Sequence, residues 1–133
     1  MRGLKIKKLE YCLVKCDKIF IIWLVLLFLV YKVYKVAGFK KEEEKLTEED
    51  KNRIKNIIKQ LKDDPYVGNQ LRVKSLREKR LTQKRVYYLV FEDLNAVLIV
   101  GISNKKTQQK TINHILEFIY DYRNYLKELL NED

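Results

Sequence analysis

Between Arg85 and Ile102 the chain reads RVYYLVFEDLNAVLIVGI, two runs of β-branched and aromatic residues joined by Glu92-Asp93-Leu94-Asn95. Such residues fit the pleated surface of a sheet, so Arg85–Phe91 and Ala96–Ile102 are predicted to be strands. Their link is short enough for an antiparallel hairpin. Side chains alternate across a strand, and here both alternating sets are apolar. The sheet must therefore be covered on both sides or paired with a further strand. Leu71–Glu78 is expected to supply that strand, and Gly101 points to a bulge or a close backbone approach.

Toward the N-terminus the period changes. Leu46, Ile54, Ile57, Ile58 and Leu61 fall on one helical face. Thr47, with Asp50 three residues on, makes a start resembling a capping box, with Asp in place of the usual Glu or Gln. Two helices are thus predicted, about 39–46 and 48–62. Asp63-Asp64-Pro65 ends the second, because the residue before proline avoids the helical region, and Gly68 marks a loop. After Thr107, Ile112, Ile115, Leu116, Ile119, Leu126, Leu129 and Leu130 form an apolar helical stripe almost to the end. The expected order is strand, helix, helix, three antiparallel strands and helix, an α+β domain with a small antiparallel sheet.

At 133 residues there is room for one domain and an appendage. The net charge of +10 divides into +6 over residues 1–38, zero over 39–70, +7 over 71–110 and −3 over 111–133. The stretch 71–110 is then the basic face of the folded part, suited to a polyanion such as RNA or DNA, or simply a solvated lysine-rich surface. Cys12 and Cys16, the two cysteines, have neither zinc-pair nor redox-pair spacing and no histidine beside them. They are expected to be free thiols.

From Ile19 to Tyr31 thirteen residues carry no charge. That is short of the ~20 that cross a bilayer as a helix. Snorkelling lysines at either end, Lys15 and Lys18, Lys32 and Lys35, would let a tilted span run from about Asp17 to Ala37. A signal peptide fits the basic start but lacks a small-residue cleavage site. A buried helix would need a covering partner, and Val33–Val36 alternatively reads as the first strand of the domain.

Several segments together resemble the RelE/ParE family, the toxic half of type II toxin–antitoxin pairs. Phe39-x-Lys41-x-x-x-Lys45-Leu46 ahead of Arg53-Ile54 is similar to its helical hairpin. Leu61-Lys62-Asp63-Asp64-Pro65-Tyr66-Val67-Gly68 resembles its L-x-x-DP…G connection. Leu76-Arg77-Glu78-Lys79-Arg80 before Lys84-Arg85-Val86-Tyr87-Tyr88 resembles its arginine-bearing strands, and Gly101–Lys106 its basic last strand. The resemblance divides the chain into residues 1–32, a basic, hydrophobic appendage, and 33–133, a RelE-like domain. Three features depart from the family: the appendage itself, Glu43 at a helix position that tends to be apolar, and a longer C-terminal helix.

The resemblance implies a toxin neutralised by a small cognate antitoxin wrapped over the basic face. RelE-like members cut messenger RNA on the ribosome, working mainly through Lys and Arg, without metal or other cofactor. Arg77, Arg80, Arg85, Lys105 and Lys106 would then be catalytic. Tyr87, on the same strand face as Arg85, would stack a base, or else belong to the core. Lys74, Lys79 and Lys84 would hold RNA. The few carboxylates of 71–110, Glu78, Glu92 and Asp93, argue against a two-metal nuclease, and the single histidine, His114, is expected at the surface or in packing. Two other readings stay open: a ParE-like inhibitor of DNA gyrase, and a non-catalytic, membrane-tethered module of the same fold. The expected location is the membrane, single-pass through residues 17–37 with the domain in the cytoplasm, or the cytoplasm alone.

Overall fold

A computed structural model of the chain describes residues 30–132. Strand β1 (Lys32–Lys35) leads into helices α1 (Ala37–Glu44) and α2 (Glu48–Asp63). Strands β2 (Asn69–Gln70), β3 (Leu76–Arg80), β4 (Lys84–Phe91) and β5 (Ala96–Asn104) follow, then helices α3 (Gln108–Glu117) and α4 (Ile119–Glu132). The sheet order is β1-β5-β4-β3-β2. The pairs from β2 to β5 are antiparallel, whereas β1 lies parallel to β5. The sheet is thus mixed, because the α1–α2 pair carries the chain over one face before the strands return.

The hairpin forms where the apolar runs place it. Glu92–Leu94 make one turn of 3-10 helix, and Asn95 closes it in the left-handed region, at φ 52°, which asparagine tolerates better than most residues. Both faces of the hairpin are buried, as its composition requires. On one side Val86, Tyr88, Val90, Val97, Ile99 and Ile102 pack with Phe39, Leu46, Ile54, Ile57 and Leu61 of the helical pair. On the other, Leu76, Tyr87, Leu89, Phe91, Leu98 and Val100 pack with Ile112, Ile115 and Leu126. The bulge foreseen at Gly101 lies in the β4–β5 ladder, where Tyr88 faces Ile99 but Tyr87 faces Gly101, leaving Val100 as the extra residue.

The helix start at Thr47 holds as read. Asp50 N–H donates to Thr47 Oγ1 (3.2 Å), so Thr47 caps α2. The Asp50 carboxylate does not return to the cap. It is buried and accepts from Thr82 N–H (3.0 Å) and Thr82 Oγ1 (2.8 Å), tying α2 to the β3–β4 turn. Glu43, the polar residue in an apolar helix position, accepts from Lys35 Nζ with both oxygens, at 2.9 and 3.0 Å, so the ion pair joins α1 to β1.

Three expectations change. Residues 32–37 are not the end of a membrane helix: Lys32–Lys35 is a sheet strand, held by Lys32 N–H to Asn95 O and Val36 N–H to Ile99 O. Among the described residues no helix is long and apolar enough to cross a membrane. The rest of the 17–37 reading, with both cysteines, lies outside the described residues. The strand expected at Leu71–Glu78 runs instead over Leu76–Arg80. Leu71–Ser75 folds into a turn, Leu71 N–H donating to Leu76 O and Leu76 N–H to Val73 O, and Asn69–Gln70 takes the edge beside β3. The single C-terminal helix is two, broken at Phe118 (φ −105°, ψ 17°), which lets Ile112, Ile115 and Leu126 reach one apolar layer.

Gly68 is required by close approach rather than by φ. Its N–H donates to the buried Tyr88 hydroxyl (2.9 Å), and a Cβ there would lie 2.6 Å from the Glu78 carbonyl and 2.5 Å from that hydroxyl. Gly68→Ala is expected to cost about 1–3 kcal/mol by overpacking, measured by urea unfolding. The Thr82 hydrogen bonds, chiefly the backbone one, hold the Asp50 carboxyl below its ordinary value. A depressed folded-state pKa contributes stability that is present above the unfolded value and lost as pH falls through the folded one. Unfolding free energy should therefore drop in acid more steeply for the wild type than for Asp50→Asn. At neutral pH Asp50→Ala should cost about 1–3 kcal/mol.

Candidate functional site

Directly opposed residues of an antiparallel ladder share a face, so the register sorts the basic residues. Arg80 faces Arg85, and Arg85 faces Ser103. One step inward, Glu78 faces Tyr87 and Tyr87 faces Gly101. These two rows lie on the α3–α4 side, at the end of the sheet where β3 turns into β4. Without the bulge, Ser103 would share a face with Val97 and Ile99, toward α1 and α2. The extra residue moves it beside Tyr87 and Arg85.

The side chains interlock diagonally. Arg85 Nη1 donates to Glu78 Oε1 (2.8 Å), and Gln108 Nε2, at the start of α3, reaches Glu78 Oε2 at 3.5 Å. The Tyr87 hydroxyl and Ser103 Oγ are hydrogen-bonded at 2.8 Å. Glu78 is 5% exposed and Ser103 4%, whereas the Arg85 side chain keeps 22% of its surface. Arg80 is exposed and makes no ion pair among the described residues. At the last position of β5, Asn104 Oδ1 accepts from Thr107 N–H (2.9 Å) and Oγ1 (3.0 Å), bracing the turn that exposes Lys105 and Lys106. Like charges directly across a ladder are destabilising. The Arg80–Arg85 pair is relieved on one side by Glu78, and on the open side an anion would relieve it.

The sequence-derived set therefore divides. Arg80, Arg85, Lys105 and Lys106 come to one corner, and Lys84, exposed at the first position of β4 opposite Asn104, borders it. Arg77 does not join them. It points to the other face, its Nε donating to Lys74 O (2.9 Å) and Nη1 to Gly68 O (3.2 Å), with the guanidinium over the Tyr66 ring. Arg77 clamps the loop around Gly68. Lys79 pairs across with Val86, also on the α1–α2 side. Lys74 lies near Glu92 (3.8 Å), beyond the far end of β4, some 20 Å of strand from Arg85.

Tyr87 offers no ring to a base: it is fully buried, and burial raises its hydroxyl pKa. Its contribution to the corner is the hydrogen bond to Ser103. Tyr88 is equally buried, its hydroxyl pushed up to about 12, chiefly by burial. Outside the corner, His114 is an exposed residue of α3 whose ring packs at a tilt against Phe118, with ring centroids 4.7 Å apart. The sequence reading gives neither Glu78 nor Ser103 a place in the site, counting Glu78 only among the few carboxylates of the basic stretch. Glu78 is two residues from Arg80 and so shares its face, a parity signal that would have found it; Ser103 depends on the bulge.

No family model and no curated protein matches the sequence. Solved structures do match in fold. A double arginine-to-alanine mutant of the E. coli toxin RelE in the free state is 17% identical with a TM-score of 0.55, over 65% of this chain and 98% of that one. RelE of the archaeal RelE–RelB complex from Pyrococcus horikoshii OT3 is 19% identical with a TM-score of 0.52, over 57% and 96%. The intact E. coli RelBE toxin–antitoxin complex contains a third, 15% identical with a TM-score of 0.51, over 56% and 95%. The chain has a RelE-like fold.

The corner makes a prediction about stability. Arg85→Ala leaves a buried carboxylate without its guanidinium and should cost about 3 kcal/mol or more. Arg80→Ala, at an exposed position, should stay within about 0.5 kcal/mol. Urea unfolding of both variants checks this.

Proposed function

We propose that the domain, residues 33–133, is the toxin of a toxin–antitoxin pair and cleaves RNA at the corner of Arg80, Arg85 and Glu78 without a metal ion. The observation that carries the reading is the opposition of two arginines across adjacent strands, one of them holding a buried carboxylate, on a RelE-like fold. RelE is bound to RelB in the neighbouring complexes. An acidic antitoxin covering the basic corner is the corresponding partner here, and translating messenger RNA the substrate, which places the domain's work in the cytoplasm.

The chemistry follows from the groups present. A ribose 2′-oxygen attacks the adjacent phosphorus; the P–O2′ bond forms as the P–O5′ bond breaks. Glu78 accepts the 2′-hydroxyl proton, and the hydrogen bond from Arg85 at 2.8 Å orients its carboxylate. Arg80 and Arg85 take the charge that builds on the phosphoryl oxygens. Lys105 or Lys106 gives a proton to the leaving 5′-oxygen. The products are a 2′,3′-cyclic phosphate and a 5′-hydroxyl. Tyr87 and Ser103 position β5 against β4 and touch no substrate.

Translation of a reporter messenger RNA in a cell-free system, with cuts mapped by primer extension, tests the reading. Arg80→Ala should lower cleavage about 10²–10³-fold, the effect of losing one transition-state donor. Glu78→Gln, nearly isosteric, should be comparably slow. Arg85→Lys is the informative change at that position, because Arg85→Ala weakens the fold. Intact messenger RNA alongside broken or relaxed plasmid would transfer the activity to DNA gyrase, and cleavage at full rate in both Arg80→Ala and Glu78→Gln would remove these residues from the mechanism.

A further inference from the structure

Helix α2 carries a second basic surface, on the opposite side of the sheet from Arg80 and Arg85. Residues 51–62 hold five basic residues and no acid. At 3.6 residues per turn, Lys51, Lys55, Lys59 and Lys62 fall within about 80° of arc, on the flank next to Ile58. Lys55, Lys59 and Lys62 are exposed and make no ion pair among the described residues, while Lys51, at the helix start, pairs with Glu48 at 3.6 Å. Arg53, on the other flank, is occupied with Glu49 (3.3 Å). An RNA strand held at the Arg80–Arg85 corner would have to wrap around the domain to reach these lysines.

The chain joins the domain at the C-terminal end of this stripe. Tyr31 N–H donates to the Lys62 carbonyl (3.1 Å), which brings Lys32, also exposed, to the same end. In sequence, Tyr31 closes the thirteen-residue uncharged run that begins at Ile19. A run of that length is short for a span. Any span ending before β1 and reaching ~20 residues would take in Lys15, Asp17 and Lys18. A short apolar segment holds a membrane only weakly; a polybasic surface beside it is the second attachment that makes such anchoring stable. We propose that the lysine flank of α2, with Lys32, docks on anionic lipid headgroups and acts with the apolar run to hold the domain at a membrane surface. Lipid is favoured over nucleic acid because the apolar run joins the domain at the stripe, and nucleic acid gives that run nothing to bury in.

The test uses the full chain and sedimentation with vesicles of phosphatidylcholine alone or mixed with phosphatidylserine. The wild type should bind the anionic vesicles more tightly, and raised salt should abolish the difference. Each lysine near an anionic surface contributes about fivefold in affinity. Lys55→Gln/Lys59→Gln/Lys62→Gln should thus lose on the order of a hundredfold on anionic vesicles and nothing on neutral ones. The corresponding triple Lys→Arg change should retain binding. Unchanged anionic-vesicle binding by the glutamine variant overturns the proposal. So does a variant that binds vesicles normally but loses affinity for single-stranded polyuridylate, which would assign the stripe to nucleic acid. Neither readout depends on RNA cleavage, so the proposal stands or falls apart from the activity assigned to the corner.

Discussion

One extra residue in β5 determines which side chains meet at the sheet's basic corner. Side chains alternate strictly along a strand, so a strand that packs on both faces has no freedom to choose what it presents. Up to Ile99 that alternation serves the core alone, with Val97 and Ile99 toward α1 and α2 and Leu98 toward α3 and α4. Val100 and Gly101 then share a face opposite Tyr87, and the parity reverses. Ile102 thereby remains in the apolar layer beneath the helical pair, and Ser103 turns to bond Tyr87. The slip reconciles two demands, an apolar core along most of the strand and a polar end at the site.

The corner that results is electrostatically unbalanced. Two guanidinium groups oppose one another across a ladder, and one carboxylate, almost fully buried, is committed to just one of them. Arg85 is therefore a structural partner as well as a candidate functional group, whereas Arg80 makes no ion pair among the described residues. Stability and activity should separate at the second position and not at the first. The distinction follows from exposure and hydrogen bonding, since the two residues share a side-chain type.

Much of this was legible in local sequence chemistry. The density of β-branched and aromatic residues located β4 and β5, Thr47 located the start of α2, and Asp64-Pro65 its end. What remained hidden was nonlocal. Leu71–Ser75 alternates like a strand yet closes a turn, because the ladder between β3 and β4 begins only at Leu76, opposite Leu89. Val33–Val36 was one of several readings for an apolar run, and its parallel partner lies more than sixty residues away, with Lys32 facing Ala96. Arg77 and Arg80 looked equivalent; only the strand register separates the clamp on Tyr66 and Gly68 from the residue opposite Arg85. Tyr87 shares a face with Arg85, as alternation required, but depth within the layer, invisible to parity, removed its ring from solvent.

The parallel pairing of the first strand with the last has a temporal consequence. During synthesis Lys32–Lys35 has no hydrogen-bonding partner until Ala96–Asn104 has been made, and the layer on the α3–α4 face stays open until Leu126 arrives. Contacts of such long sequence separation form late, after loop closure has been achieved. A growing or truncated chain consequently lacks the β5 row that completes the corner. The basic corner is therefore assembled only when nearly all of residues 33–133 have been made.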